Sequence, residues 1–234
     1  MTDVPGALNL RDVGGLSAGA GTTRSGVLFR SGNLARLGAD GERALRALGL
    51  RRIVDLRDDA ERAMEPTAVA FDDLTVRLPL FAGSAASFFA EDLTLADLYR
   101  SLVDDAGERM VEVVRAVLAD QPVLVHCTVG KDRTGVTVAL ALAAAGVDED
   151  AVVADYARTE ALLPPARNER VLGYLRRAFP AARHLEELAT LSPASAMEGM
   201  LADLRGRFGG AAEYLAASGL GDDELRALRR VLVA

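Results

Sequence analysis

The sequence holds one cysteine, one lysine and no tryptophan in 234 residues, and aromatic side chains make up only 5% of it. A single Cys excludes an intramolecular disulfide framework and any multi-cysteine metal site. No apolar run approaches the ~20 residues that a membrane helix needs. Met1-Thr-Asp-Val-Pro-Gly-Ala-Leu8 has no basic stretch followed by an apolar one, so it does not read as a signal peptide. The expected location is the cytoplasm, where a lone thiol stays reduced; export without such a leader stays open. Cations are in deficit, 27 against 34 acidic residues, and the net charge of −7 argues against nucleic acid or an anionic membrane as partner. What is abundant is hydrophobic residues, at 50%, which excludes a disordered chain. Arginine supplies 26 of the 27 cations. The Ala- and Arg-rich usage is associated with a GC-rich bacterial gene.

The length fits one domain spanning residues 1–234. Its first part alternates between strand and helix patterns. Apolar runs at 27–29, 52–56, 74–80 and 123–125 read as strands. Helical spacing predicts helices at 40–48, 95–103 and 107–119, the first stopped by Gly49. Residues 83–90 are small and read as a surface loop. Residues 133–145 are apolar on nearly every side, so that helix is expected to be buried. Strands separated by helices predict an α/β fold with a mostly parallel central sheet flanked by helices. From 148 onward the pattern is helical, with segments near 148–160, 166–178, 181–190, 195–208, 209–218 and 221–232. Pro164-Pro165 and the small residues 192–196 could serve as hinges, so residues 160–200 are a candidate lid.

Most of the chemistry lies in Val123-Leu-Val-His-Cys-Thr-Val-Gly-Lys-Asp-Arg-Thr-Gly135. The lone Cys127 leaves a buried strand, and Arg133 opens the buried helix five residues later. A short loop entering a helix can curl its N–H groups round a tetrahedral oxyanion, and the helix N-terminus adds positive charge. Gly130 permits the turn. Arg133 can fork two N–H donors onto two phosphate oxygens, which a lysine cannot do. The same field favours a thiolate nucleophile at Cys127. Residues Thr128, Val129, Gly130, Lys131, Asp132 and Arg133, together with Cys127, are therefore the predicted phosphate-binding loop. The reaction that suits it is phosphate-monoester hydrolysis through a cysteinyl-phosphate. Thr134 can hydrogen-bond the thiolate and ease its departure. His126 is expected to orient the loop and not to act as a base. No metal or other cofactor is called for.

His-Cys-x5-Arg-Thr-Gly resembles the signature of the protein tyrosine phosphatase superfamily, and Gly-Lys-Asp-Arg-Thr-Gly resembles its bacterial PtpB-like subgroup. Asn9-Leu-Arg-Asp-Val-Gly-Gly15, Leu28-Phe-Arg-Ser31, Asp55-Leu-Arg57, Val153-Ala-Asp-Tyr156 and the C-terminal stretch 214–232 are similar to that subgroup at corresponding places. The resemblance implies a phosphatase α/β fold and no cofactor. It implies activity on phosphotyrosine, with dual-specificity or phosphoinositide activity as an alternative. It also places Lys131 as a charge for a second phosphate and Asp132 as a proton carrier or a partner of a neighbouring Arg. One departure stands out. Members of the subgroup carry an Asp general acid after a Leu-Pro strand end, whereas here the stretch is Leu78-Pro-Leu-Phe-Ala-Gly-Ser84. Asp132 is the first candidate for the acid and Asp92 the second, with Glu91 and Asp97 behind them.

Competing readings fail on spacing. A nucleotide-binding loop needs Gly where Val125 stands and Ser or Thr where Asp132 stands. A sulfurtransferase loop is one residue shorter. A buried structural thiol is the ordinary fate of a free Cys, but its place between an apolar strand and Arg133 speaks against that. Residues 9–15, Arg30 and 55–57 are expected to serve structure more than substrate. Tyr99 and Tyr156 read as core or pocket wall, His184 as surface, and Arg176-Arg177 and Arg229-Arg230 as solvated helix faces. A binding module that captures phosphate without turnover is the remaining alternative.

Overall fold

The computed structural model describes residues 4–67, 69–80 and 89–234. Strand β1 (Arg11–Asp12), the hairpin strands β2 (Ser17–Ala18) and β3 (Gly21–Thr22), and β4 (Leu28–Ser31) precede α1 (Ala39–Ala47) and β5 (Arg52–Asp55). Then come α2 (Asp59–Met64), a 3-10 turn (Val69–Leu74) and β6 (Thr75–Arg77). Helices α3 (Leu95–Asp105) and α4 (Gly107–Ala119) lead to β7 (Val123–His126). The rest is helical: α5 (Asp132–Ala144), α6 (Glu149–Leu162), α7 (Pro165–Ala178), α8 (Leu185–Ala189), α9 (Ala194–Phe208), α10 (Ala211–Ala217) and α11 (Asp222–Leu232).

The main sheet has the order β1-β4-β7-β5-β6. Only β1 runs antiparallel to its neighbour; β4, β7, β5 and β6 are parallel. Successive side chains point to opposite faces of a strand, and here each face has its own core. Val123, Val125, Leu28 and Val54 join the larger core with α3 to α6 and α9 to α11. Leu124, Phe29 and Ile53 meet Leu45 of α1 and Phe71 on the other side. Burial on both faces explains why these strands read as unbroken apolar runs. Helix α5 is buried from Arg133 to Leu142, as its all-round apolar pattern requires.

The differences from expectation are local. The run 74–80 forms a strand only over Thr75–Arg77, because the chain before it winds into a 3-10 turn and β6 is an edge strand with Pro79 just beyond. Strand β1, the β2–β3 hairpin and α2 are too short for periodicity to show. The loop expected at 83–90 lies, through residue 88, outside the described residues.

A buried ion triad ties the N-terminal segment to the helical part. Asp155 of α6 accepts from Arg11 Nε at 2.7 Å and from Arg30 Nη1 at 2.7 Å, and all three side chains are within 2% of full burial. Arg11 also donates to the Asp155 carbonyl at 2.9 Å and to Thr159 Oγ1 at 3.1 Å. Burial alone would raise the Asp155 pKa, but the charges and hydrogen bonds of Arg30 and Arg11 hold it below the usual carboxylate range. Its contribution to stability is therefore complete above the unfolded value of about 3.9 and is lost as pH falls through the folded one. Asp155→Asn leaves two guanidiniums buried against a neutral amide; urea unfolding at neutral pH is expected to show a loss of about 3–5 kcal/mol, and a change below about 1 kcal/mol would contradict the triad's role.

Candidate active site

The site lies at the C-terminal ends of the parallel strands, where α/β sheets place their ligands. Cys127 follows β7 directly, and its side chain is buried. Four successive carbonyls of the loop are anchored to the scaffold. The Cys127 carbonyl meets His126 Nδ1 at 3.2 Å. The Thr128 carbonyl accepts from the Asn33 backbone N–H and Nδ2, both at 3.0 Å. The Val129 and Gly130 carbonyls accept from Asn9 Nδ2 at 3.2 and 3.0 Å, and Gly130 also accepts from Arg30 Nη2 at 2.9 Å. In a planar trans peptide the N–H of the next residue points opposite to the carbonyl. Turning these carbonyls outward therefore turns the N–H groups of Thr128, Val129, Gly130 and Lys131 toward the other side. Helix α5 follows the loop directly, and its N-terminus carries no side-chain cap.

Gly130 is obligatory there. Its φ is +73°, and a Cβ would stand 2.3 Å from the Ser31 carbonyl oxygen. Gly135 is constrained in another way: a Cβ would approach Tyr156 to 3.0 Å and Arg30 Nη2 to 3.3 Å.

The Arg133 fork is held by a residue that sequence reasoning missed. Nη1 and Nη2 donate to the two carboxylate oxygens of Glu61 at 2.6 and 2.5 Å. Glu61 also accepts from Thr128 Oγ1 and, at 3.0 Å, from the Asp58 N–H. Asp58 and Glu61 form the capping box of α2, with the Glu61 N–H donating to Asp58 at 2.8 Å. The available signal was Asp58-Asp-Ala-Glu61 just beyond β5, a capping-box spacing. Burial disfavours the charge on Arg133, but Glu61 and the negative character of Cys127 outweigh it and raise its pKa above the ordinary value. Burial would raise Glu61, yet Arg133 and Thr128 hold it below its usual value.

The remaining predicted residues fall into three groups. Thr134 Oγ1 is buried and has no partner among the described residues. His126 is fully buried, and burial lowers its pKa, so it stays neutral and orients the Cys127 carbonyl. Asp132, the first residue of α5, accepts from the Tyr99 hydroxyl at 3.1 Å, and that hydroxyl lies 2.6 Å from Tyr156 Oη.

Two expectations change. The Lys131 ammonium does not face the loop's interior. It donates to the carbonyls of Glu187, Leu188 and Leu191 at 2.9, 2.9 and 2.8 Å, the acceptors left over where α8 ends, and it lies 3.4 Å from Asp132. Its three protons are spent on the fold, so its charge is not presented to a second phosphate. Asp92 is not poised as an acid. It accepts from the Arg183 N–H at 2.5 Å and Nε at 2.7 Å, and these bonds lower its pKa, which favours the carboxylate. Asp97 caps α3 with Thr94, its pKa lowered by the Thr94 hydrogen bonds. Arg57 lies beneath the loop, locked to Asp55 at 2.9 and 2.8 Å.

Beside the loop, Thr128 and Val129 share a cavity of about 490 Å³ with Ala7, Leu8, Asn33 and the N-terminal part of α7. Among the described residues no group of His, Cys, Asp and Glu is arranged to hold a metal ion, and no helix is long and apolar enough to cross a membrane.

A parallel sheet whose central strand runs through a cysteine-bearing loop into a buried, arginine-bearing helix defines an α/β protein with its candidate site at the carboxyl ends of the strands. The chain belongs to the tyrosine phosphatase family, whose model matches residues 2–234. It is 32% identical over 252 residues to the triple specificity protein phosphatase PtpB of Mycobacterium tuberculosis, covering 93% of this chain and 87% of that protein. It is 31% identical over 221 residues to a tyrosine-protein phosphatase of Nostoc commune, covering 87% of this chain and 73% of that protein. A putative tyrosine-protein phosphatase of Cupriavidus necator is 34% identical over 160 residues, 63% of this chain and 59% of that protein.

Two substitutions test the loop. Gly130→Ala is expected to displace the backbone and lower kcat/KM on a small aryl phosphate by at least about 10²-fold while the far-ultraviolet circular dichroism is kept. Glu61→Gln loosens the Arg133 plane, and steady-state kinetics are expected to show a fall in kcat/KM of about 10²-fold.

Proposed function

We propose that the chain is a cysteine-dependent phosphatase that hydrolyses phosphate monoesters through a cysteinyl-phosphate, with protein phosphotyrosine as its main substrate. The observation that carries this reading is the anchoring of four consecutive loop carbonyls to the scaffold, which turns the following loop amides the other way, next to Cys127 and Arg133 in the chain. The names of the relatives, a triple specificity phosphatase and tyrosine-protein phosphatases, support the same substrate class.

In the first step the Cys127 thiolate attacks phosphorus in line and the ester P–O bond breaks. The leaving oxygen takes a proton from Asp132. Arg133 and the loop amides hold the equatorial oxygens as charge develops. In the second step water attacks phosphorus and the P–S bond breaks. Asp132 accepts a proton from that water, and the Thr134 hydroxyl donates to the departing sulfur. The orphaned, buried Thr134 hydroxyl supports that role. Asp132 is supported by its place at the loop's end, its partial exposure and the Tyr99 hydrogen bond. A phosphoinositide substrate has less support, because the Lys131 ammonium is consumed by α8. Residues 1–234 act as one phosphatase domain in this reading. Helices α7 and α8 cover the site; their separate cluster of Leu172, Leu175, Leu185 and Ala189 supports motion as a unit.

Cys127→Ser is expected to abolish turnover of an aryl phosphate while still binding phosphate or vanadate in calorimetry; retained turnover overturns the mechanism. Asp132→Asn is expected to lower kcat by about 10²–10⁴-fold. The acid must be protonated to act, so the wild-type pH–rate profile is expected to have a basic limb and the variant's profile to lose it. A profile that keeps the limb assigns the acid elsewhere.

A further inference from the structure

Resting on the phosphatase reading, we propose that Arg36, Arg167 and Arg170 form a rim that selects peptides with acidic residues next to the phosphotyrosine. The three arginines line the cavity that Thr128 and Val129 share with the loop. Its other walls include Ala7, Leu8, Pro164 and Val171, apolar surface suited to a tyrosine ring and neighbouring side chains. Two carboxylates act on this rim. Glu65 pairs with Arg36 at 3.2 Å and accepts from Asn33 Nδ2 at 2.7 Å, and Asp132 is the other acidic group whose charge reaches Arg167. The rim stays positive on a chain whose net charge is −7.

The rim is also held in place. Arg167 is half-buried and donates to the Ala189 carbonyl at 3.2 Å and to Asn168 at 2.9 Å, while Arg36 and Arg170 are exposed. Burial and the nearby Arg36 both work against the Arg167 charge, and an anion between these guanidiniums relieves that repulsion. Among the described residues the large apolar side chains standing most exposed are Met64 at 79% and Tyr174 at 62%. Met64 directly precedes Glu65, and Tyr174 lies about one turn beyond Arg170 on α7, so each is close in sequence to a residue of the cavity wall. Exposed Met, Tyr and Arg together are the composition of a protein-contact surface. An inositol phosphate would meet the charges but leave the apolar walls formed by Ala7, Leu8, Pro164 and Val171 without a partner. The observations therefore favour a peptide.

The test measures kcat/KM on three phosphotyrosine peptides that differ only in flanking Glu, Gln or Lys, alongside a small aryl phosphate and a soluble inositol bisphosphate. The wild-type chain is expected to prefer the Glu peptide over the Gln peptide by about five- to tenfold, the scale of two rim charge pairs, and the Lys peptide is expected to be worst. The preference should shrink at an ionic strength of about 1 M, where the screening length is about 3 Å. In the Arg36→Ala/Arg170→Ala double variant the Glu-to-Gln ratio should fall to about one. Equal rates on the Glu and Gln peptides in the wild type overturn the proposal, as does a ratio the double variant leaves unmoved. So does an inositol bisphosphate preferred to every peptide through the same arginines. Should the wild-type chain leave the aryl phosphate intact, the phosphatase reading itself falls. The rim is then judged by the same Glu-to-Gln ratio in peptide Kd.

Discussion

One buried carboxylate governs the geometry. Asp155 holds two guanidiniums from two different strands, and each of these reaches onward. Arg30 donates to the Gly130 carbonyl and so sets the turn of the loop. Arg11 bonds the Asn9 side chain, whose amide holds the Val129 and Gly130 carbonyls. A single charge on α6 thus fixes the orientation of peptides that are distant in sequence. The low dielectric that makes an unpaired Asp155 costly is also what makes the arrangement rigid once it is satisfied.

A second carboxylate performs two tasks at once. Glu61 completes the capping box of α2 and clasps the Arg133 fork. Helix α2 has no buried residue, so little apolar packing holds it. Its start is fixed by its cap and by Arg133. The short helix and Arg133 order each other, and a local rule of helix termini becomes part of the geometry of the candidate site.

Much of this could be read in the residues. The parallel strands and α5 were visible because burial on both faces produces uninterrupted apolar runs, and the turn at Gly130 was visible because a left-handed backbone favours glycine. What could not be read arises from tertiary contact. The direction of the Lys131 side chain depends on where α8 ends, some 56 residues further on. The capture of Asp92 by Arg183 spans 91 residues. Glu61 serves the site through a contact across 72 residues. Periodicity reports which face of an element is apolar and carries no information on such pairings. The stretch after Leu78-Pro79, where the subgroup's acid was sought, continues into residues 81–88, outside the described residues.

The burial of Lys131 has a further consequence. It is the only lysine in the sequence, and its side chain is fully enclosed. Every side-chain cation at the surface, histidine aside, is therefore a guanidinium, which keeps its proton at any pH the fold is apt to meet. Reagents that acylate amines find no side chain to attack while the native packing lasts. Exposure of that one amine would thus report directly on the moment α8 separates from the loop between β7 and α5.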